Sequence, residues 1–272
     1  MSKSKKASAV SLRFAPIAVE GRWWKRIAPL AGLTEMGASH VTLEGPRFAL
    51  EVFRLDSDSA LGAGHGEVLQ RFDRASSGVL VGTQMVAKGH DFPNVTAVGV
   101  LSADSILNFP DFRSAEKTFQ LLAQVSGRAG RGDVPGTVHV QTFHPDHPAI
   151  RRAAVHDVDG FAVGELEFRR AFFYPPFAEL ASVLVSSANR EKAEEVAAEI
   201  GRALASATGA REMRLSGPAP APLERLQGKW RFQILLRAAE RASILSVLEE
   251  AIPERPPSGS QVAVDVDPQD LM

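Results

Sequence analysis

The feature that most constrains the fold is the alternation of short apolar runs with helical segments between residues 50 and 143. The runs at Gly78–Val81 and Val95–Leu101 are apolar along nearly their whole length, and they alternate with helical patterns at Gly66–Arg74 and Arg113–Gln124. Strands of this kind are buried on both faces, because helices cover the sheet on each side. The pattern therefore predicts βαβ units and a parallel sheet. Further strands are predicted at Val52–Leu55 and Gly136–Phe143.

The second half of the chain has a different pattern, which begins after Pro145 and Pro148. A helix is expected up to about Phe172, and two amphipathic helices follow at Arg190–Ala205 and Arg241–Glu250. This order predicts an α+β domain in which two helices pack on one small, mostly antiparallel sheet. The predicted strands are Ala181–Ser186, Trp230–Leu236 and Val262–Val266, with a Pro/Ala hairpin at Gly217–Pro222. The predicted domains are a divergent basic segment at 1–48, an α/β domain at 49–148 and an α+β domain at 149–272.

Composition limits the classes of function. The chain has 272 residues, 44% of them hydrophobic, which is enough for cores in two domains. The formal net charge is −1, so any basic binding surface must be local. There are no cysteines, which excludes disulfides and thiolate metal sites and fits a reducing cytoplasm. No apolar run reaches the ~20 residues that cross a bilayer, so we expect a cytoplasmic chain with no membrane partner.

A first candidate motif follows the predicted strand that ends at Val81. It consists of the residues from Gly82 to Pro93 and includes glycines, a threonine, a lysine and an aspartate. Such a loop places backbone amides, a hydroxyl and a cation at the carboxyl end of a strand, where α/β sheets bind ligands. The alternative interpretation of Asp91-Phe92-Pro93 is a simple turn.

A second candidate motif is Gln124-Val125-Ser126-Gly127-Arg128-Ala129-Gly130-Arg131-Gly132, at the end of a predicted helix. Arg128 and Arg131 are three residues apart, so they share a face if the helix continues and can converge on one anion if it ends. Paired guanidinium groups suit a phosphate that is being transferred. The glycines could also serve only to end the helix.

In this order and spacing, the two motifs resemble motifs V and VI of the second RecA-like lobe of superfamily 2 helicases. Within that superfamily, the chain resembles the PriA family of replication restart helicases, also called primosomal protein N′. The resemblance covers about residues 50–272. The other stretches that carry it are Asp111–Glu116, Gly217–Pro220, Lys229–Leu236 and Val264–Pro268. It implies a RecA-like second lobe followed by a small α+β domain similar to ribosomal protein S10.

The resemblance implies a role for each motif. In the first motif, it assigns DNA contacts to Gly82, Thr83 and Lys88, and it places Gly89 and Asp91 near the nucleotide. In the second motif, it implies that arginine fingers reach the γ-phosphate of ATP in the other lobe. The residues of this catalytic group are Arg128 and Arg131, positioned by Gln124.

The departures from the family are as informative as the matches. A phosphate loop has the form Gly-x4-Gly-Lys-Ser/Thr, but Gly228-Lys229 is followed by Trp230, and Leu223 stands where the first glycine should be. No Asp-Glu dipeptide is available for the magnesium motif of the first lobe. The family's Cys-x-x-Cys zinc sites cannot form without cysteine. We therefore expect that this chain binds no zinc, has no other metal site and does not bind ATP and Mg²⁺ by itself.

A basic cluster in the last domain is the predicted surface for macromolecules. By strand alternation, Lys229 and Arg231 face away from Trp230, Phe232 and Ile234. Because the family's C-terminal domain contacts forked DNA and the acidic tail of single-strand-binding protein, we assign DNA contacts to the first two residues. The residues assigned to partner binding are Arg237 and Arg241. A merely solvated basic strand is the alternative interpretation.

Aromatic residues around two prolines allow two interpretations. Phe172, Phe173, Tyr174 and Phe177 could stack nucleic-acid bases or be buried at the domain junction, and burial is favoured. The residues at the start of the chain add a further open point: the basic segment 1–48 is either a frayed terminus or a phosphate-binding arm.

Together these observations predict a restart protein of the PriA type that binds forked or single-stranded DNA, the single-strand-binding protein tail and primosome proteins. We expect no ATPase or helicase activity of its own, because the first-lobe motifs are absent. One alternative is an active ATP-dependent 3′-to-5′ DNA helicase in which a separate chain supplies the first lobe. The other alternative is a nonfunctional truncated remnant.

Overall fold

The structure is a computed structural model that describes residues 40–45, 48–55, 64–75, 78–83, 95–127, 136–209 and 211–271. These residues form two compact units. The first unit contains the described residues up to Ser102 together with Gly127 and 136–141, and the second contains Ala103–Ser126 and 142–271. No helix in these ranges is long and apolar enough to cross a membrane.

The first unit has the parallel strand pairing that the sequence predicts. Its elements are β1 (His40–Gly45), β2 (Phe48–Leu55), α1 (His65–Arg74), β3 (Gly78–Gly82), β4 (Ala97–Val100) and β5 (Thr137–Val140). β2 pairs in parallel with β3, and β4 with β5. In the described residues these pairs belong to two sheets, β1-β2-β3 and β4-β5. The strand β1 pairs with β2 in antiparallel orientation and lies in the segment 1–48, for which no strand was predicted.

The core of the first unit explains why α1 forms where it does. Val68 and Leu69 are buried on the face of α1 that packs against Phe53 and Leu55 of β2. Phe72, one turn after Val68, meets Phe53 edge to face with ring centroids 5.6 Å apart. The apolar residues therefore recur at helical spacing on one face, and their burial holds the helix against the sheet.

The second unit begins with helices that precede its sheet. They are α2 (Asp104–Leu107), α3 (Ser114–Ser126), α4 (Pro148–Ala154) and α5 (Val158–Phe172). Phe119 of α3 stacks on Phe161 of α5, with ring centroids 4.2 Å apart. Thus α3 packs with the elements that follow residue 142. The domain boundary predicted after residue 148 separates consecutive segments of the sequence, whereas the two compact units alternate along the chain. The predicted boundary stays a prediction.

A four-stranded antiparallel sheet forms the rest of the second unit, as predicted. Its strands are β6 (Glu179–Ser187), β7 (Met213–Leu226), β8 (Lys229–Ala238) and β9 (Ser260–Val266), in the order β7-β8-β6-β9. The helices α6 (Arg190–Thr208) and α7 (Arg241–Ala251) cover one face. The largest fully buried side chains of that core include Val183, Val185, Leu204, Ile234, Leu236, Ile244 and Val247.

The predicted Pro/Ala hairpin at Gly217–Pro222 is wrong. Those residues lie inside β7, and the chain turns later, at Gln227 and Gly228. Because β7 is an edge strand, a proline can replace a residue whose N–H would face solvent. Irregularities in the pairing with β8 between Ser216 and Ala219 and between Pro220 and Arg225 accommodate these prolines.

The helix-free face of the sheet is partly covered by the end of the chain and the start of α3. Leu271 is buried in a cluster with Phe112 and Leu180. The Arg113 guanidinium donates a hydrogen bond of 2.9 Å to the Pro268 carbonyl. As a result, the Asp111–Glu116 stretch is attached to the last domain through both apolar and polar contacts.

Candidate functional site

The described part of the first motif lies where the sequence predicts it. Gly82 is the last residue of β3, its Cα lies opposite Leu55 of the parallel neighbour, and Thr83 follows it. Both residues are exposed, so the Thr83 hydroxyl and the backbone at this carboxyl edge are open to a ligand. Lys88, Gly89 and Asp91 lie outside the described residues. The assignment of DNA contacts to Gly82 and Thr83 stays a prediction.

Of the second motif, Gln124 is described and Arg128 and Arg131 lie outside the described residues. Gln124 is exposed on α3, two residues before the helix ends at Ser126. Its role in positioning the arginines stays a prediction.

The helix that carries Gln124 is held by a charged network within the second unit. Arg169 of α5 donates to Glu116 of α3 at 2.6 Å and to Glu165 at 2.8 Å. Burial would lower the pKa of the Arg169 guanidinium, but hydrogen bonds to the two carboxylates outweigh it and raise that pKa. The two ion pairs of Arg169 fix α3 against α5.

Strand alternation in β8 follows the prediction, but one side chain is less accessible than expected. Phe232 and Ile234 face the helices and are buried. Arg231 lies on the opposite face, yet it is only 7% exposed and its guanidinium donates to the Leu223 carbonyl at 3.5 Å. Alternation along β8 determines the face of the sheet on which Arg231 lies. Its burial depends on the long edge strand β7, which passes beside Arg231. The DNA-binding role of Arg231 stays a prediction.

Arg237, at the other end of β8, is also buried, with 9% of its surface exposed. Its guanidinium donates to the Phe172 carbonyl at 3.0 Å and to the Ser216 hydroxyl at 2.6 Å. The same group lies over the Tyr174 ring, 4.6 Å from its centroid. These contacts occupy Arg237 within the domain, and its partner-binding role stays a prediction.

The aromatic residues near the two prolines divide between core and surface. Tyr174 is partly buried and packs against the cluster of Phe112, Leu180 and Leu271, which agrees in part with its predicted burial. The side chain of Phe172 is 52% exposed, so the same prediction is wrong for it. Phe172 is at the C-terminal end of α5, where the chain turns away and leaves its ring without cover.

A basic cluster surrounds Trp230 beside the β7–β8 turn. We call Arg190, Arg225, Lys229 and Trp230 the hairpin cluster. The guanidinium carbons of Arg190 and Arg225 lie 5.5 and 5.2 Å from the Trp230 ring centroid. Lys229 Nζ donates to the Gln261 side chain at 2.7 Å, and Arg190 pairs with Glu224 at 3.2 Å. Neither arginine was predicted from the sequence. Arg190, at the start of α6, is far from Trp230 in sequence, and Arg225 is the direct neighbour of Trp230 across the β7–β8 turn, which was predicted at other residues.

Arg241 is exposed as the first residue of α7. A cation at a helix N-terminus is unfavourable, because the unpaired N–H groups there already carry partial positive charge. The preceding residue, Glu240, makes no side-chain cap hydrogen bond to the helix. Glu240 places a negative charge beside this helix end, and the partner-binding role of Arg241 stays a prediction.

The comparison with known proteins defines the class. Residues 42–133 match the family model of the helicase conserved C-terminal domain, and residues 170–269 match that of the primosomal protein N C-terminal domain. The first match includes the strands of the first unit and also α2 and α3 of the second unit, and the second match lies within the second unit. The chain thus joins a RecA-like second helicase lobe to a primosomal C-terminal domain.

Three relatives, each named replication restart protein PriA, identify the family within this class. The protein from Bacillus subtilis is 43% identical over 202 residues, which are 74% of this chain and 25% of that protein. The proteins from Synechocystis and Treponema pallidum are each 40% identical, over 80% and 81% of this chain and 26% and 34% of the relatives. The chain belongs to the PriA family and corresponds to its C-terminal part. It spans about a quarter to a third of the length of these relatives.

Proposed function

We propose that the chain acts in replication restart as a DNA- and partner-binding protein of the PriA type, in the cytoplasm. Its ligands in this proposal are forked or single-stranded DNA, the acidic tail of single-strand-binding protein and primosome proteins. The single observation that carries the proposal is the similarity to relatives named replication restart protein PriA, in a chain whose residues 42–133 and 170–269 match the helicase and primosomal family models.

The distribution of charge supports DNA binding despite the net charge of −1. Positive groups concentrate at the hairpin cluster and at Arg241, where they are exposed or partly exposed. Cations on a surface bind DNA phosphates by releasing condensed counterions, which makes the affinity dependent on salt. Two of these guanidinium groups lie close to the partly buried Trp230 ring, which places both charges at the same point of the surface.

We further propose that this chain does not hydrolyse ATP by itself. Arginine fingers act on a γ-phosphate that a phosphate loop and Mg²⁺ hold, and the sequence has no Gly-x4-Gly-Lys motif. Arg128 and Arg131 would then act only beside a lobe that supplies this loop. Phosphate release stimulated by DNA from the purified chain, and abolished by Arg131→Ala, would contradict this.

Fluorescence anisotropy with a labelled fork tests the DNA-binding proposal. We expect the purified chain to bind forked DNA, with an affinity that falls as salt rises from about 50 to about 200 mM. Replacing Lys229 and Arg241 together by alanine should weaken binding and make the salt dependence less steep. The slope of the logarithm of the affinity against the logarithm of the salt concentration should fall by about one for each DNA phosphate that the variant no longer neutralises.

The matched control is the double replacement of Arg151 and Arg255 by alanine, which removes the same number of charges from exposed positions away from the β8 strand. This control should leave the salt dependence close to that of the unaltered chain. If the two double variants bind equally, the basic surface is not the binding site. If the unaltered chain binds no forked DNA, the proposed function itself fails.

A further inference from the structure

Two aromatic side chains on α5 remain exposed in the second unit. The rings of Phe168 and Phe172 are one helical turn apart, with centroids 4.6 Å apart, and they are 44% and 52% exposed. Gly164, one turn earlier on the same line of the helix, leaves open space on that side. Phe161 lies on nearly the same face, about two to three turns before the two rings, where it is buried against Phe119 of α3. The open strip is therefore confined to the C-terminal part of α5, from Gly164 to the two aromatic rings.

Two arginines lie beside the end of this strip. Arg237 donates a hydrogen bond to the Phe172 carbonyl, and Arg214 lies directly opposite Arg237 across the β7–β8 pair. The Arg214 guanidinium also lies over the Phe173 ring, 5.1 Å from its centroid. Like charges at directly paired positions of a sheet are unfavourable.

Within the part of the chain that the structure describes, neither arginine forms an ion pair with a carboxylate. The Nε of Arg237 is buried and has no hydrogen-bond acceptor. The exposed guanidinium of Arg214 is therefore the accessible member of a pair of uncompensated positive charges. A ligand with negative charge would relieve the repulsion between them.

We propose that Phe168, Phe172 and Arg214 form a binding surface for single-stranded nucleic acid. Unpaired bases stack on the two rings, and a backbone phosphate contacts Arg214 while Arg237 adds charge from beneath. A polyanion with exposed π faces meets both properties of the surface, whereas an apolar protein partner would leave the arginines uncompensated. The inference rests on the proposed DNA-binding function and deepens it by naming the surface and the kind of strand.

The test compares two labelled probes in anisotropy titrations of the whole chain. One probe is an oligo-dT strand of about 15 nucleotides, near the upper site size of small single-strand-binding domains. The other is an abasic strand of the same length, which has the same phosphates and no bases. Because stacking requires bases, we expect oligo-dT to bind more tightly than the abasic strand.

Paired variants separate stacking from charge. Replacing Phe168 and Phe172 together by alanine should weaken oligo-dT binding by about fivefold or more per stacked base and leave the abasic strand unaffected. Phe172→Trp should retain oligo-dT binding. Arg214→Gln should weaken the binding of both probes. It should also reduce by about one the slope of the logarithm of the affinity against the logarithm of the salt concentration. The control for the ring variant replaces by alanine two other exposed residues of α5, Val163 and Leu166. The control for the charge variant is Arg202→Gln, at an exposed position of α6.

Three results would overturn this proposal. One is equal affinity of the unaltered chain for the two probes. Another is oligo-dT binding that is the same in the Phe168 and Phe172 double variant as in its control. The third is a dimer in sedimentation velocity that the double variant abolishes without a change in oligo-dT affinity, which would assign the strip to self-association. If forked DNA still binds in these cases, only this inference fails and the proposed function stands.

Discussion

The ring of Phe112 lies flat against the ring of Tyr174, with centroids 4.8 Å apart and planes 8° apart. Arg113 and Arg169 lie over the Phe112 ring, and Arg237 lies over the Tyr174 ring. The stack joins the residue pair before α3 to the segment that follows α5, and Arg237 extends these contacts to β8. Together with the Leu271 cluster and the Arg113–Pro268 hydrogen bond, it links the helix that carries Gln124 to the sheet within the second unit.

Removing the Phe112 ring should therefore destabilise the second unit. We expect Phe112→Ala to lower the free energy of unfolding by about 3 kcal/mol, as for other buried phenylalanines, while Tyr174→Phe, which keeps the stacked ring, changes it by less than about 1 kcal/mol. Urea unfolding followed by Trp230 fluorescence, with Trp23 and Trp24 replaced by phenylalanine, measures this. A loss below about 1 kcal/mol for Phe112→Ala would show that the stack is not a stabilising contact.

Backbone geometry makes Gly217 a second sensitive position. Its φ is +94°, and a Cβ there would lie 2.5 Å from the Gln233 carbonyl oxygen. Gly228 also has a positive φ, +80°, but a Cβ there would meet open space. We expect Gly228→Ala to cost about 1 kcal/mol from strain alone and Gly217→Ala to cost clearly more, about 3 kcal/mol or above. Equal losses in urea unfolding would contradict the close approach to β8.

His147 should make stability depend on pH. Its Nδ1 accepts a hydrogen bond from the Ala149 N–H and caps α4. Burial and the neighbouring His144 lower the pKa of His147 below its ordinary value of 6.5, although Glu165 acts in the opposite direction. The folded state therefore binds protons less readily than the unfolded state. Its contribution to stability is complete above pH 6.5 and is lost as pH falls through the lowered pKa.

The matched variant for this effect is His147→Asn, because asparagine retains a capping acceptor and does not titrate. The free energy of unfolding should fall more for the unaltered chain than for the variant between about pH 8 and about pH 5. Parallel curves for the two proteins would show that the cap at His147 does not titrate with folding.

Sequence patterns predict the secondary structure of this chain better than they predict which side chains are accessible. Apolar runs locate β3 and β6, and amphipathic spacing locates α6 and α7 within a few residues. The sequence does not predict the course of β7. Pro218 and Pro220 indicate a turn, but the strand continues through them because it lies at the edge of the sheet.

The same limit applies to the candidate surfaces. Alternation along β8 assigns Arg231 to the face away from the helices, but the carbonyl of Leu223 that covers it comes from another strand. Arg190 joins Trp230 only through the fold, whereas Arg225 contacts it across the β7–β8 turn, which was predicted at other residues. Local sequence indicates the direction of a side chain along a strand, whereas accessibility depends on neighbours that are distant in sequence.

Competition between two DNAs tests whether this chain binds forked DNA in preference to duplex DNA. Complexes of the chain with a labelled fork are titrated with an unlabelled fork or with an unlabelled linear duplex of the same sequence and length. We predict that the unlabelled fork competes at least about tenfold more effectively, equivalent to about 1.4 kcal/mol of preference. Equal competition by the two DNAs would contradict fork recognition, and no complex with the labelled fork would contradict DNA binding.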